Sequence, residues 1–425
     1  MLDLKLIRSR PDDVRRALEA KGETGADLNR LLEIDQIWRA KLARVEELRA
    51  ERNRRSQEVA RRRKVGEEAG DLIEETRRLS GEQGDLENEI KELKTELDRL
   101  HEWIPNLPHA SVPIGPAETA NQEIRRWGDF SFPQGRQPHW KIGPELGLFD
   151  LDIAAKISGA GFTLFTGAGA RLERALINFL LDWHTKRHGY TEIAPPLMVR
   201  RESAFGTGQL PKLEEDMYAS EKDGLFLIPT AEVPLTNIYR EEVLAASRLP
   251  IYLTAYTSCF RREAGAYGRD TRGLVRVHQF GKVELVKFVK PETSYDELEK
   301  LVQNAEAVLQ ALELPYRVVV LGSGDLSFAA AKCYDLELWA PAEERWLEIS
   351  SCSNFEDFQA RRAGIRYRGE DGKVHFVHTL NGSGVALPRL LVALLEVHQT
   401  ASGEVKIPAS LQPYMDGLEI LTPVQ

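Results

Sequence analysis

Residues 256–286 read YTSCFRREAGAYGRDTRGLVRVHQFGKVELV. The apolar start predicts a strand that ends at residues 261–263, Arg-Arg-Glu. A glycine-rich loop follows, and residues 276–284 predict a second strand, because polar and apolar side chains alternate along them. The segment therefore predicts a strand, a long loop and a returning strand, with charged side chains on one face of a sheet.

The charges in this segment indicate a ligand. Buried arginine and glutamate are costly unless they are paired or liganded. Arginine binds phosphate oxygens through a fork of N–H groups, and carboxylates bind a metal ion or an ammonium group. The pattern favours a polyphosphate site, and a network of ion pairs on an exposed sheet face is the alternative.

Three further segments carry the same types of side chain. Thr230, Ala231 and Glu232 follow the apolar run FLIP, which puts a hydroxyl and a carboxylate at a strand end. Residues 348–351, Glu-Ile-Ser-Ser, end another predicted strand. Arg389 opens a predicted helix, where the helix dipole disfavours a cation unless an anion offsets it. Each segment alone has a structural explanation, but together they supply ligands for an amino acid, a metal ion and the phosphates of ATP.

The rest of the second half predicts an α+β domain. Short apolar runs alternate with helical stretches without regular βαβ spacing, which favours a mostly antiparallel sheet flanked by helices. The phosphate-loop, GxGxxG and GxSxG motifs are missing from the sequence. His184 and His188 lack the glutamate and third ligand of a zinc motif, so we interpret them as surface residues.

The first hundred residues predict a helical hairpin. Leucine and isoleucine, together with Thr76 and Gln83, occupy positions spaced by three or four residues from Leu72 to Ile104, as in a coiled coil, and a less regular seam begins at Leu28. Glycines in residues 64–70 can reverse the chain, so two antiparallel helices of about 50 Å each would form. The proline-rich residues 105–118 then predict a linker between domains 1–104 and 119–425.

Charge supports this pairing, since the first helix is basic and the second acidic. In the outer half, seven basic side chains exceed the local acidic ones: Arg52, Arg54, Arg55, Arg61, Arg62, Arg63 and Lys64. A stripe of this kind fits the phosphates of a nucleic acid, and a solvated helix face is the alternative. Because the whole chain has a net charge of −9, a nucleic acid needs such a local basic face.

The cysteines and the apolar runs limit the other possibilities. Three scattered cysteines without a CxxC pair exclude a disulfide framework and a four-cysteine zinc site. The longest aliphatic run, residues 390–395, is too short for a membrane span, and the N-terminus has no apolar leader. We therefore expect a reduced, cytoplasmic protein with no membrane partner.

Taken together, these segments resemble the seryl-tRNA synthetase family in its bacterial form. The members of this family are class II aminoacyl-tRNA synthetases. The three class motifs correspond to GYTEIAPPL (189–197, with Pro196 at the dimer interface), FRREAG through QFGKVE (260–284) and TLNGSGVALPRLLVALLE (379–396). Segments of the seryl branch are FGTGQLPK (205–212), PTAEVPL (229–235), DLELWAP (335–341) and SSCSNFEDFQARR (350–362). Gly161 departs from the pattern, because the family suggests arginine there.

The resemblance implies a homodimeric enzyme that activates L-serine with ATP and transfers it to tRNA(Ser), and it leaves tRNA(Sec) open as a second substrate. It implies that the hairpin binds the long variable arm of the tRNA. It assigns serine to Thr230, Ala231, Glu232, Glu284 and Ser383. It assigns ATP to Arg261, Arg262, Glu263, Arg276, Val277, Phe280, Glu348, Ile349, Ser350, Ser351 and Arg389.

Within these sets, the resemblance makes Arg261, Glu348 and Arg389 catalytic and gives Mg²⁺ to Glu348 and Ser351.

Two other classes of protein stay open at this point. The first is a synthetase-like paralogue that passes its aminoacyl group to a carrier protein or is inactive. The intact hairpin argues against transfer to a carrier, and the complete set of charged residues argues against an inactive protein. A coiled-coil interaction protein would show no serine-dependent exchange of pyrophosphate into ATP.

Overall fold

The computed structural model describes residues 1–264 and 272–424. The chain divides into two compact units, Met1–Pro105 and Asn106–Gln425. The helices of the first unit are α1 (Leu4–Ser9), α2 (Pro11–Ala20), α3 (Leu28–Lys64) and α4 (Gly70–His101). The predicted hairpin of two long helices is confirmed in α3 and α4.

Apolar packing and ion pairs hold α3 against α4. The seam residues Leu72, Leu79 and Leu97 are buried, as are Leu31 and Leu48 of α3. Ion pairs cross between the helices from Arg30 to Glu96 (3.0 Å), Arg44 to Glu82 (2.9 Å), Arg49 to Glu87 (3.0 Å) and Arg55 to Glu75 (2.7 Å). These pairs confirm the antiparallel pairing predicted from charge. Since exposed ion pairs contribute only about 0.2–1 kcal/mol each, the leucine seam is the main source of stability.

An eight-stranded sheet forms the centre of the second unit. Its strands are β1 (Gln122–Trp127), β2 (Thr191–Glu192), β3 (Ile251–Phe260), β4 (Gln279–Val289), β5 (Tyr316–Val320), β6 (Lys332–Ala340), β7 (Arg345–Asn354) and β8 (His378–Ala386). Their order across the sheet is β1-β5-β6-β7-β8-β4-β3-β2. The edge strand β2 pairs with β3 in parallel, and the other pairs are antiparallel. The predicted α+β class with a mostly antiparallel sheet is confirmed.

Helices flank both faces of this sheet. They are α5 (Ala117–Ala120), α6 (His139–Glu145), α7 (Leu151–Ser158), α8 (Gly167–Arg187), α9 (Arg201–Thr207), α10 (Glu232–Thr236), α11 (Ser294–Ala311), α12 (Phe358–Ala363) and α13 (Leu387–Val397). Leu176 of α8, Leu301 of α11 and Leu391 of α13 share one apolar core with Val283 and Leu285 of β4. Because side chains alternate along a strand, Lys282 and Glu284 of β4 point to the opposite face.

Short strands complete the unit in four small sheets. They are Phe149–Asp150 with Leu164–Phe165, Met198–Arg200 with Leu225–Leu227 and Ala219–Ser220, Val243–Ala245 with Arg366–Arg368 and Val374–Phe376, and Val405–Lys406 with Ile420–Leu421. Within the described ranges, none of the helices is both long enough and apolar enough to cross a membrane.

Several predicted strand boundaries were wrong. Strand β3 ends at Phe260, before residues 261–263, and β4 begins at Gln279, so residues 276–278 precede it. Residues 348–351 lie inside β7 rather than at its end, because β6 pairs with β7 as far as Asn354. The predicted glycine-rich loop falls partly on residues 265–271, which lie outside the described residues.

Candidate active site

The second unit contains a cavity of about 490 Å³ on the sheet face that carries Lys282 of β4. Because β6, β7, β8, β4 and β3 are neighbours in the sheet, segments far apart in sequence meet there. Twelve predicted residues line the cavity: Thr230, Glu232, Arg261, Glu263, Arg276, Val277, Phe280, Glu348, Ile349, Ser351, Ser383 and Arg389. Four predicted residues do not line it: Ala231, Arg262, Ser350 and Glu284.

Glu284 is fully buried and is the centre of a polar cluster beside the cavity. Its Oε2 accepts a hydrogen bond from the Thr230 hydroxyl at 2.9 Å and pairs with Lys282 Nζ at 2.5 Å. Its Oε1 accepts a hydrogen bond from Asn381 Nδ2 at 3.2 Å. Lys282 Nζ also donates to the Thr230 hydroxyl at 3.3 Å. The Glu284 charge is therefore compensated by donors that themselves line the cavity.

Glu232 is a second buried carboxylate, and it opens helix α10. Its backbone N–H donates to the Thr230 hydroxyl at 3.2 Å, and its Oε1 accepts a hydrogen bond from Gln359 at 2.6 Å. Burial and the nearby charge of Glu284 raise the pKa of Glu232 to about 7. A cationic group bound in the cavity would favour the ionised form of Glu232.

Three arginines bring positive charge to the same cavity. The Arg261 guanidinium lies 5.2 Å from the centre of the Phe280 ring. Arg276 Nη1 donates to Glu263 at 3.0 Å. Arg389 Nη1 donates to the carbonyl oxygen of Glu348 at 2.6 Å. Each guanidinium has five N–H groups, so these contacts leave donors that can bind phosphate oxygens.

Glu348, Ser351 and Asp335 form a cluster of oxygen atoms at the cavity wall. The Ser351 hydroxyl contacts Asp335 at 2.5 Å and Glu348 at 3.3 Å. Burial, together with the charge of Glu348, holds the pKa of Asp335 well above its usual value. A bound cation would favour the ionised Asp335 carboxylate, because its positive charge offsets the free energy needed to ionise this buried group.

The structure brings four further polar residues into this region that were not predicted from the sequence: Lys282, Asp335, Gln359 and Asn381. Signals for two of them exist in the sequence. Asn381 lies two positions before Ser383 in β8, so both side chains share one face. Lys282 is likewise two positions before Glu284. Asp335 and Gln359 carry no comparable spacing signal, and their roles depend on the pairing of strands and helices.

Gly161, which departs from the family pattern, has a structural explanation. Its φ is +81°, a left-handed conformation that favours glycine. A Cβ atom there would lie 2.5 Å from the ring of His278, whose backbone N–H donates to the Gly161 carbonyl at 2.7 Å. With this backbone and this neighbour, an arginine side chain does not fit at position 161.

Comparison with known proteins agrees with the fold and the site. Residues 213–398 match the family model of the tRNA synthetase class II core domain (G, H, P, S and T), and residues 1–108 match the seryl-tRNA synthetase N-terminal domain. The antiparallel sheet, the arginine-lined cavity and these matches define a class II aminoacyl-tRNA synthetase. The serine–tRNA ligase of Thermoanaerobacter pseudethanolicus is 56% identical over 419 residues, which cover 98% of each chain. The chain belongs to the seryl-tRNA synthetase family, and its activity is ATP-dependent ligation of serine to tRNA.

Solved structures lead to the same family. A crystal structure of seryl-tRNA synthetase from Pyrococcus horikoshii, complexed with ATP, superposes with a TM-score of 0.96 at 39% identity and covers 100% of both chains. The cytoplasmic serine–tRNA ligase of Naegleria fowleri, in complex with AMP, gives 0.90 at 29% identity. The likeness spans this whole chain in both structures. The resemblance seen in the sequence is thus confirmed.

Proposed function

We propose that both steps of serine ligation take place in this cavity. The serine carboxylate attacks the α-phosphorus of ATP, a P–O bond breaks, and pyrophosphate leaves. The terminal ribose hydroxyl of the tRNA then takes the seryl group and releases AMP. The observation that carries this proposal is that carboxylates and three arginines converge in one cavity. The protein supplies positioning and charge neutralisation rather than a nucleophile.

For serine, we assign the ammonium group to Glu232 and Thr230. We assign the serine hydroxyl to Glu284 and Ser383, which are cross-strand partners on β4 and β8. Glu284 has three donors in the structure, and a carboxylate can accept about four hydrogen bonds, so a serine hydroxyl can join them. Ala231, fully buried between Thr230 and Glu232, supports the backbone of this segment.

For ATP, we assign the α-phosphate to Arg261 and the β and γ phosphates to Arg276 and Arg389. Phe280 offers its ring to the adenine base, and Glu263 offers its carboxylate to the adenine amino group. Val277 and Ile349 contribute apolar wall to the cavity. Arg262 and Ser350 hold the backbone of residues that line the cavity. The Arg262 backbone N–H donates to the Asp216 carbonyl oxygen at 2.9 Å, and the Ser350 hydroxyl donates to the Ser383 carbonyl oxygen at 2.7 Å.

We assign Mg²⁺ to Glu348 and Ser351. The side chains fit this ion, because Mg²⁺ prefers oxygen ligands and the buried Asp335 carboxyl adjoins the same serine. When bound there, the ion would neutralise phosphate charge. Arg389 donates a hydrogen bond to the Glu348 carbonyl oxygen, which connects helix α13 with this part of β7.

The raised pKa of Glu232 predicts how serine use depends on pH. Below about pH 7 the carboxyl is increasingly protonated and loses its attraction for an ammonium group. The kcat/KM for serine should therefore fall about tenfold per pH unit well below this value and level off above it. Serine-dependent pyrophosphate exchange at saturating ATP measures this profile. In Glu232→Gln, kcat/KM should be low and the inflection near pH 7 absent; an inflection that persists there contradicts the assignment.

We further propose that residues 1–104 form the tRNA-binding domain, that residues 105–118 are a linker and that residues 119–425 form the catalytic domain. In the predicted basic cluster, Arg55, Arg61 and Arg62 form ion pairs with acidic side chains of the hairpin. Among the described residues, the other four form no ion pair: Arg52, Arg54, Arg63 and Lys64. Phosphates would bind these four most readily, because in the described parts of the chain none of them is held in an ion pair, and only Arg52 among them acts on a nearby carboxylate, that of Glu87.

This division of the cluster can be tested by comparing two triple variants. Replacing Arg54, Arg63 and Lys64 by alanine should raise the KM for tRNA about tenfold. The slope of log KM against log salt concentration should also fall, by about 0.7 to 0.9 for each phosphate contact that is lost. The matched triple variant replaces the paired Arg55, Arg61 and Arg62 and should change KM less. Charging assays at several salt concentrations measure both. Equal effects of the two triples contradict the proposal.

The assembly and location of the enzyme are also proposals. We propose a homodimer, with tRNA(Ser) bound mainly to one subunit and reached by the hairpin of the other. Exposed apolar residues Leu197 and Met198, next to Pro196 in the first class motif, support a protein contact there. We propose a cytoplasmic location, in keeping with three buried cysteines that are free of disulfides. Charging of tRNA(Sec) is a second proposed activity.

A further inference from the structure

Gln359 is a fully buried amide in helix α12 that no substrate assignment uses. Its Nε2 donates one hydrogen bond to Glu232 Oε1 at 2.6 Å and another to the carbonyl oxygen of Thr207 at 3.1 Å. Its Oε1 accepts a hydrogen bond from the Thr379 hydroxyl at 2.7 Å. The amide therefore connects α12 with helices α9 and α10 and with strand β8.

Hydrogen-bond chemistry determines which way this amide faces. A carbonyl oxygen such as that of Thr207 can only accept, and an ionised carboxylate such as Glu232 can only accept. The NH₂ group must therefore face both, and the amide oxygen must face Thr379. Both N–H groups are used, so Gln359 has no donor left for a substrate. It touches Glu232 directly, but it does not line the cavity.

The contact has a consequence for the second oxygen of Glu232. In residues 1–264 and 272–424, Oε1 is bound by Gln359, while Oε2 accepts no hydrogen bond. Glu232 lines the cavity together with Thr207, whose carbonyl Gln359 also binds. With Oε1 held on the protein side, Oε2 is the carboxylate oxygen available to a ligand.

We infer that Gln359 is a positioning residue for serine, which holds the Glu232 carboxylate so that its free oxygen meets the ammonium group. The inference rests on the proposed role of Glu232. A hydrogen bond to a charged group is a strong one, and loss of the geometry it imposes weakens a bound ion pair. Gln359 thereby determines affinity for the amino acid and has no direct effect on the nucleotide.

Charges around Glu232 lead to a second expected effect. The groups that act on its carboxyl are Glu284 and Lys282 on β4, Arg261 after β3, and Gln359 itself. Burial and the negative Glu284 raise the pKa of Glu232, while the Gln359 N–H, Lys282 and Arg261 lower it. Removing the Gln359 donor should therefore raise this pKa further, and serine use should require a higher pH.

The test is Gln359→Met, which fills the same space without a donor. Serine-dependent pyrophosphate exchange should show KM for serine raised about ten- to hundredfold, KM for ATP little changed, and the midpoint of the pH profile shifted upward. Gln399→Met is the matched control. Gln399 is also a buried glutamine, with two hydrogen bonds to the backbone of Gln137, and it does not line the cavity. It should leave all three quantities unchanged.

Other outcomes have distinct meanings. If KM for serine and the pH midpoint of Gln359→Met match those of the unaltered enzyme, or if the KM values for serine and ATP rise together in this variant, the inference is wrong. If the methionine variant does not fold, Gln359→Asn takes its place in the test. Its shorter side chain keeps a buried amide but cannot reach both Glu232 and Thr207, so it should raise KM for serine and leave KM for ATP little changed. Should Glu232→Gln itself leave KM for serine unchanged, the proposed role of Glu232 fails first.

Discussion

Deletion of residues 30–100 should reduce the charging of tRNA by about a thousandfold or more and leave serine-dependent pyrophosphate exchange near its full rate. The deleted segment contains nearly all of α3 and α4, which form a hairpin of about 50 Å with exposed basic side chains. Loss of several phosphate contacts weakens binding of a nucleic acid by orders of magnitude. The residues that line the cavity all belong to the unit Asn106–Gln425.

A shorter truncation separates the loss of RNA contacts from damage to the first unit. Replacing residues 50–82 by a short glycine-rich turn removes the outer hairpin and keeps the buried Leu31 and Leu97 near its base. This variant should lose charging almost as completely as the full deletion, because the outer half carries the unpaired basic residues. Both variants are compared by charging and by exchange at equal enzyme concentration. Normal charging in either one excludes the hairpin as the tRNA-binding element.

The hairpin was predictable because its signals are local. The leucine repeat from Leu72 onward and the opposite charges of the two helices act within one pair of elements. The structure adds individual partners, such as Arg44 with Glu82. Charge counting alone could not separate the paired Arg55 from the unpaired Arg54, since that depends on which face of α3 each side chain occupies.

The site was predictable to a lesser degree, because it depends on register between distant strands. Residue types in residues 261–263 and at Arg389 pointed to phosphate, and the family resemblance supplied the roles. Glu284 lies opposite Ser383 only through the pairing of β4 with β8, which is shifted by one residue between Val283 and Glu284. Such a shift has no signal in a single sequence. Lys282, the buried partner of Glu284, was missed although it lies two positions before Glu284 on the same strand.

The misjudged strand ends have a similar origin. Residues 348–351 were predicted to end a strand, yet β7 continues to Asn354. Its polar side chains are satisfied by neighbours that sequence alone cannot identify. Ser350 donates to the carbonyl of Ser383 on β8, and Ser351 donates to Asp335 on β6. Tertiary pairing therefore overrode the local preference.

Substitution Glu284→Ala should lower kcat/KM for serine by about a thousandfold or more and change KM for ATP far less. The substitution removes the carboxylate that we assign to the serine hydroxyl. It also takes the acceptor from the Thr230 hydroxyl and leaves the buried Lys282 ammonium without its partner. Serine-dependent pyrophosphate exchange, with each substrate varied in turn, measures the effect. Serine use close to that of the unaltered enzyme would refute the role.

The unpaired lysine needs its own control, since a buried charge alone could disable the pocket. The double variant Lys282→Met, Glu284→Ala removes both charges and so avoids an uncompensated ammonium group. If Glu284 binds serine, the double variant should stay inactive although its thermal stability returns towards that of the unaltered enzyme. If exchange recovers with stability, Glu284 acts only by neutralising Lys282. Glu284→Gln completes the series, because it can still accept from Thr230 while lacking the charge, and it should retain more activity than alanine.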